Sequence, residues 1–443
     1  MGDYLFQFRD PIHGFIDVTE DEKKIINSEA FQRLRSIRQL GTSYLVYHGA
    51  EHTRFGHSLG VMHLASRVFD VITDKQPDLF DKPTREKYRQ ILRLIGLTHD
   101  LGHAPFSHAS EHLFDKGFEH EDMTREILFK TEIAGYIREI GKKLSEEHRE
   151  KYGIMPSEKC TITPELIWLI YEGEDVLNDA YIMPDFKFLK SFMDGELDCD
   201  KMDYLLRDSY YCGVKYGHYD LDRLVSSLNI YQKIDENILL LALEYGGIHA
   251  LEEFVLARYF MFIQVYFHKT RRYLDKKLSD CLERLLPNGK YPSDVDEYLS
   301  WNDDKVLDLI QQNKGKCGHA RAFANREVLT CIYQANVHVS SDGERLFKSH
   351  CRSLEEKILD KGIDKEELSR YYYKDETNKA AHKIADKING DEVAIPILVE
   401  HQKEPSSVYE KSLLLRSLIE PITIRRIYVH NDFKQIAEDI IDI

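Results

Sequence analysis

Apolar and polar positions along this chain follow two rhythms. From Phe6 to Val18, short alternating stretches surround Pro11 and Gly14, which predicts a small β-hairpin. Beyond it the spacing becomes helical. Val61, Leu64, Ala65, Val68, Phe69 and Ile72 recur at intervals of three and four, so a core helix is expected with His57 at its beginning. Ile91, Leu92, Leu94, Ile95 and Leu97 mark a second buried helix carrying His99 and Asp100 near its C-terminal end. Gly102 and Pro105 then break the chain and open a further short helix. Tyr204, Leu205 and Tyr211 predict another helix after Asp200, and Ile238 to Leu243 reads as a strand before Gly246 and Gly247. A long aromatic-rich helix is expected from His249 through Tyr273. Charged helices follow, mixed with two strand-like runs, Val393 to Val399 and Ile424 to Val429. The expected class is mostly α, a helical core with small β-hairpins and a C-terminal α+β region.

At 443 residues the chain exceeds the ~250–300 at which single cores stop growing, so more than one domain is expected. A hydrophobic content of 42% with 31% charged residues is that of an ordinary globular protein. Sixty basic residues against 76 acidic give a net charge of −16. That balance argues against broad binding to a nucleic-acid backbone and suits a small anionic substrate held by a few Arg and Lys. The seven cysteines, Cys160, Cys199, Cys212, Cys281, Cys317, Cys331 and Cys351, are scattered and form no C-x-x-C pair, so reduced thiols fit better than a disulfide framework or zinc ribbon. Met1 to Leu5 lack the layout of a secretory leader, and no apolar run approaches the ~20 residues of a membrane span. A cytoplasmic location without membrane attachment is expected.

The adjacent pair His99-Asp100, ending an apolar segment, carries the candidate chemistry. With His57 and Asp200 delivered from other helices, it supplies two nitrogen and two carboxylate ligands for one divalent ion. That mixture suits Fe, Mn, Ni or Zn better than Ca, which prefers oxygen alone. Each residue has a plainer reading by itself. His57 can cap its helix, Asp100 can cap the turn at Gly102, and Asp200 can be one more carboxylate after the acidic run 194–198. Their joint occurrence favours the metal.

The segments Arg54-Phe55-Gly56-His57-Ser58-Leu59-Gly60, His99-Asp100-Leu101-Gly102-His103-Ala104-Pro105-Phe106-Ser107-His108 and Asp200-Lys201-Met202-Asp203-Tyr204-Leu205-Leu206-Arg207-Asp208 resemble the HD-domain phosphohydrolases. More narrowly, they resemble the deoxynucleoside triphosphate triphosphohydrolases related to the vertebrate enzyme that joins a SAM domain to an HD domain. Asp10-Pro11-Ile12-His13-Gly14 and the stretch Phe31 to Gly41 extend the likeness, which covers roughly residues 6–275 with no preceding SAM domain. The resemblance implies hydrolysis of a dNTP to deoxynucleoside and inorganic triphosphate, with His57, His99, Asp100 and Asp200 as metal ligands and Mg accompanying the phosphates. It assigns catalytic or α-phosphate roles to His103, His108 and His120, and a His-orienting role to Glu111, where the family has Asp. Which of His108 and His120 donates the proton stays open. Arg54, Lys201 and Arg258 correspond to phosphate contacts, and Tyr204 to a hydrogen-bond donor. Gln39 and Asp208 match partners of the sugar 3′-hydroxyl, while Leu40 and Tyr266 match the wall near C2′. Phe267 replaces a Gln of the vertebrate enzyme.

The resemblance further implies nucleotide effectors and a homo-oligomer, a tetramer in the vertebrate relative. Gln32 and Arg35 match residues that read a guanine nucleotide, and Arg223 matches a phosphate-binding Arg. Asn27 stands where that family has a guanine-reading Asp, and Phe6 where it has a Lys; Asn cannot accept two N–H bonds as a carboxylate does. An altered base preference is expected. The domain organisation read from these signals is a catalytic core over 1–225, a helical extension completing the substrate pocket over 226–330, and an α+β region over 331–443 with an oligomerisation or effector role. Two alternatives stand beside the dNTPase reading. One is an HD phosphohydrolase acting on a monophosphate, cyclic nucleotide or alarmone. The other is a nucleotide sensor or nucleic-acid-binding module without turnover.

Overall fold

The computed structural model describes residues 6–153, 161–172, 185–233, 238–338, 341–365, 367–380 and 395–441. Helices dominate it. The expected hairpin forms from Phe6–Asp10 and Gly14–Val18, paired antiparallel with Phe8 opposite Ile16. It leads into the helix Glu20–Ile26, started by a capping box in which Thr19 and Glu22 satisfy each other's backbone N–H.

The centre of the molecule is the helix Arg54–Lys75, with His57 in its first turn and Val61, Leu64, Ala65, Val68, Phe69 and Ile72 all buried. It packs along Lys82–Thr98, which Asp81 caps with a bond to Thr84 N–H and Pro83 helps to start. His99 is the C-cap of that second helix. A third helix, Cys199–Cys212, crosses the first and ends at left-handed Gly213. Three helices thus aim His57, His99-Asp100 and Asp200 at one region, as the apolar spacing implied.

Where a single helix was expected from His249 through Tyr273, the chain instead forms Ile248–Met261, a π-helical turn over Phe262–Tyr266, and a separate helix Lys269–Leu285. His268 caps the new helix through Nδ1. The apolar spacing runs through the break without a Gly or Pro, so nothing in the pattern marked it.

Ile238–Glu244 is a strand as expected, paired antiparallel with Leu228–Lys233 and parallel with Pro396–Leu398. Of the run Val393 to Val399, Val393 and Ala394 lie outside the described residues. Ile422–Val429 is the central strand of a second sheet, flanked by Thr330–Gln334 and Tyr372–Lys379. One hydrophobic core runs from Ile16 to Leu415, and a smaller one gathers Phe347, Leu354, Ile358, Ile427, Val429 and Ala437. Cys199, Cys212, Cys281, Cys317, Cys331 and Cys351 are free thiols, and Cys160 lies outside the described residues. Among the described residues no helix is long and apolar enough to cross a membrane.

Candidate active site

Ligand atoms of His57, His99 and Asp200 lie within 4.8 Å of one another. Asp200 Oδ1 is 2.9 Å from His57 Nε2 and 3.9 Å from His99 Nε2. Asp100 approaches the same two nitrogens at 3.7 and 3.4 Å. Both Nε2 atoms are buried without a hydrogen bond. Their other ring nitrogens are held: His99 Nδ1 lies 2.9 Å from Gly96 O, and His57 Nδ1 lies 2.8 Å from Asp203 Oδ2. Donation through Nδ1 leaves a lone pair on Nε2, the tautomer a metal ligand requires. Burial pushes the His57 imidazole down, but Asp200, Asp203 and Asp100 outweigh it and raise it to about 10. The carboxylates around these rings call for a cation, and two imidazoles with two carboxylates fit a divalent transition metal.

The helix Cys199–Cys212 supports this site with two neighbouring faces. Asp200, Lys201, Tyr204 and Asp208 share one. Asp203 and Arg207, four residues apart, share the other: Arg207 Nε donates to Asp203 Oδ2 at 2.8 Å and Nη2 to Oδ1 at 2.9 Å. Arg207 Nη1 reaches Asp10 Oδ2 at 2.8 Å, and His13 Nε2 lies 2.6 Å from Asp203 Oδ1. Burial opposes ionisation of Asp203, yet Arg207, His13 and His57 hold its carboxyl well below the usual range. The packing demands glycine at position 60, because a Cβ there would stand 1.9 Å from Asp203 Oδ1.

Beyond His99 the chain turns sharply. Gly102 presses against the start of the helix His120–Lys130, where a Cβ would meet His120 O at 2.1 Å. Phe106 and Ser107 both adopt left-handed backbone, φ 61° and 54°, at a cost on the order of 1–2 kcal/mol each. The short helix expected here takes the form of two 3₁₀ turns, Ser107–Ala109 and Glu111–Leu113. They assemble a second group, His103, His108, Glu111 and His120. Glu111 Oε2 holds His108 Nδ1 at 2.7 Å while Oε1 bonds His120 Nδ1. Burial raises the Glu111 carboxyl, but the two imidazoles outweigh it and hold it well below its usual value. Burial lowers His120, and Glu111 with Glu121 overcomes it, so His120 keeps its proton to higher pH than a free imidazole. His103 is driven down by burial, Arg54 and His120. The His103 and His120 rings stack at 3.8 Å with 21° between planes. Ligand atoms of these four residues lie within 4.8 Å of one another, and Glu111 already holds Nδ1 of both His108 and His120.

Arg54 is buried, with Nη1 2.6 Å from Asp100 Oδ2 and Nε 2.8 Å from Ser107 Oγ. Lys201 Nζ bonds Asp198 and Gly195 O. Arg258 is buried with Nη1 3.5 Å from Glu196, and its Nε has no partner. Tyr204 faces Tyr266 edge to face at 6.1 Å, and burial pushes its hydroxyl well up. Asp208 accepts from Tyr266 Oη at 2.7 Å and lies 2.8 Å from His52 Nε2. Gln39 and Leu40 are buried, and Gln39 Oε1 and His52 Nδ1 lack hydrogen bonds. Buried polar atoms of this kind call for a partner beyond the protein's own groups, a water or an ion included.

Residues 54–179 match the HD domain and residues 219–369 match the HD associated region. The chain belongs to the HD-domain phosphohydrolase family. Over its whole length this HD phosphohydrolase matches the crystal structure of a hypothetical protein from Aquifex aeolicus, with 31% identity, a TM-score of 0.75, and 98% and 99% of the two chains covered. The uncharacterized protein YwfO of Bacillus subtilis is 34% identical over 279 residues, 62% of this chain and 55% of that protein. The deoxynucleoside triphosphate triphosphohydrolase SAMHD1 homolog of Dictyostelium discoideum is 31% identical over 332 residues, 69% of this chain and 54% of that protein. The HD chain spans about half the length of these two curated relatives.

The residues matched to effector reading lie apart from the HD metal group. Asn27 is the exposed C-cap of Glu20–Ile26. Gln32 Nε2 donates to Ile26 O at 2.7 Å and its Oε1 accepts from Arg35 Nε at 2.9 Å, with the Arg35 guanidinium 3.4 Å over the Phe55 ring. Arg223, on the helix Leu221–Ser227, donates to Gly246 O at 2.6 Å. Among the described residues the two sets share no hydrogen-bond partner. Asp203, Arg207, His13 and His52 were assigned no role from the sequence. The four-residue spacing of Asp203 and Arg207 was a usable signal, whereas His13 and His52 reach their carboxylates from distant segments.

Proposed function

We propose that this HD phosphohydrolase hydrolyses dNTPs to a deoxynucleoside and inorganic triphosphate: the oxygen of a water bonds to the α-phosphorus as the bond to the 5′-oxygen breaks, and that oxygen takes up a proton. The observation that carries this reading is the Asp208–Tyr266 contact of 2.7 Å on the helix that also bears Asp200. Eight residues separate the two carboxylates along that helix, about 12 Å at the α-helical rise, space for an α-phosphate and a sugar between them.

His57, His99, Asp100 and Asp200 would hold the cation. Fe, Mn, Ni or Zn there supplies Lewis acidity and lowers the pKa of water. Arg54, anchored on Asp100, turns its remaining N–H groups to the phosphoryl oxygens. Lys201 and Arg258 exchange their carboxylate partners for the outer phosphates, which travel with Mg. His108 and His120, both on Glu111, provide the proton that the departing 5′-oxygen takes up. Asp208 and Gln39 hold the 3′-hydroxyl, and Leu40 with Tyr266 leaves no space for a 2′-hydroxyl.

The reading extends to regulation: nucleotide effectors act through Asn27, Gln32, Arg35 and Arg223 across the subunits of a homo-oligomer. That oligomer is a tetramer. Turnover of each dNTP alone and in pairs, with the mass of the particle measured alongside, tests this extension; equal rates in all mixtures would remove it.

Product analysis decides the main reaction. The chain is incubated with dNTPs and NTPs in Mn and Mg. Inorganic triphosphate in step with deoxynucleoside is the expected result. Release of orthophosphate or pyrophosphate, or cleavage confined to monophosphates or cyclic nucleotides, would overturn it.

A further inference from the structure

The HD associated region sends one buried carboxylate under the loop that bears His108. Asp303, the first residue of the helix Asp303–Asn313, is 1% exposed. Its Oδ1 accepts the Phe106 N–H at 2.7 Å. Its Oδ2 accepts the Arg38 N–H at 3.1 Å and Arg38 Nη1 at 3.3 Å. Ser107 Oγ in turn donates to Arg38 O at 2.7 Å and accepts from Arg54 Nε at 2.8 Å. These bonds close a circuit through Asp303, Phe106, Ser107 and Arg38, to which Arg54 is attached at Ser107. Just before Asp303, Trp301 O accepts from Arg33 Nε at 2.8 Å, and Arg33 Nη2 donates to His103 O at 2.9 Å. The same segment therefore braces the loop at both His103 and Phe106.

We propose that Asp303 is a positioning residue, holding the left-handed turn at Phe106 and Ser107 so that His108 and Arg54 meet the phosphate together. Two successive non-glycine residues with positive φ persist only where their surroundings fix them. The Phe106 N–H would otherwise be buried without an acceptor. Burial pushes the Asp303 carboxyl up to about 6 against the pull of Phe106 and Arg38, so at neutral pH it is an anion ready to accept. It touches no reacting atom in the proposed reaction.

This inference rests on the phosphohydrolase reading of the site, so the test uses two substrates. One is the dNTP mixture; the other is bis(4-nitrophenyl) phosphate, a diester with no sugar to recognise. If the parent cleaves only the diester, the dNTP reading fails and the role of Asp303 is still measurable. In D303A, kcat is expected to fall at least tenfold on the substrate used, with KM and bound metal per folded chain within twofold of the parent. A kcat per metal-loaded, folded molecule within tenfold of the parent would overturn the proposal, as would a KM that rises in step with the loss. Should D303A not fold, D303N replaces it: its oxygen can serve Phe106, but its NH₂ then faces the Arg38 donors. A kcat loss of at least fivefold at constant KM is expected there, and a smaller loss overturns the proposal.

Discussion

Asp203 Oδ2 lies 2.8 Å from His57 Nδ1, on the same helix as Asp200 and three residues beyond it. One helix thus supplies a carboxylate to each side of the His57 ring. Asp203 fixes the ring plane and keeps the proton on Nδ1, which raises the basicity of Nε2. D203N is expected to weaken metal affinity by about 10- to 100-fold, the usual cost of losing such a partner. Metal titration of the chelator-treated protein, followed by calorimetry, measures this. Parent-like affinity in a folded D203N would refute the assignment.

Glu111 should govern the alkaline side of the activity profile. Its carboxylate favours protonated His120 against the effect of burial, so removing the charge lowers the pKa of the acid. In E111Q the pH at which activity declines on the alkaline side is expected to move downward by about one pH unit or more. Profiles of kcat from pH 5 to 10 show whether it does. An unmoved alkaline limb would exclude Glu111 from the proton-donating pair.

Tyr266 offers a test of sugar choice. If Tyr266 forms the proposed wall, the parent is expected to cleave dGTP and not GTP, and Y266A, which opens the wall and frees Asp208 Oδ2, should bring GTP turnover toward that of dGTP. Y266F removes only the hydroxyl bond at 2.7 Å and should retain the exclusion of GTP. Competition between the two nucleotides, read by product ratio, distinguishes the variants. A parent that turns over both equally would contradict the wall.

The Glu22–Arg93 pair should set acid stability. Arg93 Nε and Nη2 donate to the two Glu22 oxygens at 2.7 and 2.8 Å, tying the first helix to the one that bears His99. Burial raises the Glu22 carboxyl, but Arg93 dominates and lowers it from 4.5 to about 2. A depressed carboxyl stabilises fully above its unfolded value, so this contribution is present above about pH 4.5 and disappears as pH falls toward 2. E22Q removes the charge opposite the buried Arg93 guanidinium, which keeps its bonds to Ser66 Oγ and Asp17 O, and should cost about 3–5 kcal/mol at neutral pH. Denaturant melts from pH 7 to pH 3 check both points: the parent loses stability across the acid window and the variant loses less.

Much of the site was legible because it sits on regular elements. The spacing of Val61 to Ile72 and of Ile91 to Leu97 showed two buried helices, and the order of His57, His99-Asp100 and Asp200 gave each its ligand. What escaped was whatever depends on distant segments meeting. Asp303 stands about two hundred residues from Phe106, and no local periodicity links them. The left-handed turn at Phe106 and Ser107 was hidden because neither residue type announces positive φ, although Gly102 and Pro105 did signal a break. The π-turn before Phe267 was concealed by aromatic residues that suit a continuous helix equally well.

In the proposed reaction the helix from Cys199 to Cys212 works as a ruler laid along the nucleotide. Cation ligand, lysine, tyrosine and sugar carboxylate are graduations on one rigid bar, so sliding or rotating it spoils every reading together. Graded divergence in nucleotide choice therefore belongs to the segments opposite, Leu40 and the turn at Tyr266, where one residue can change without recalibrating the rest.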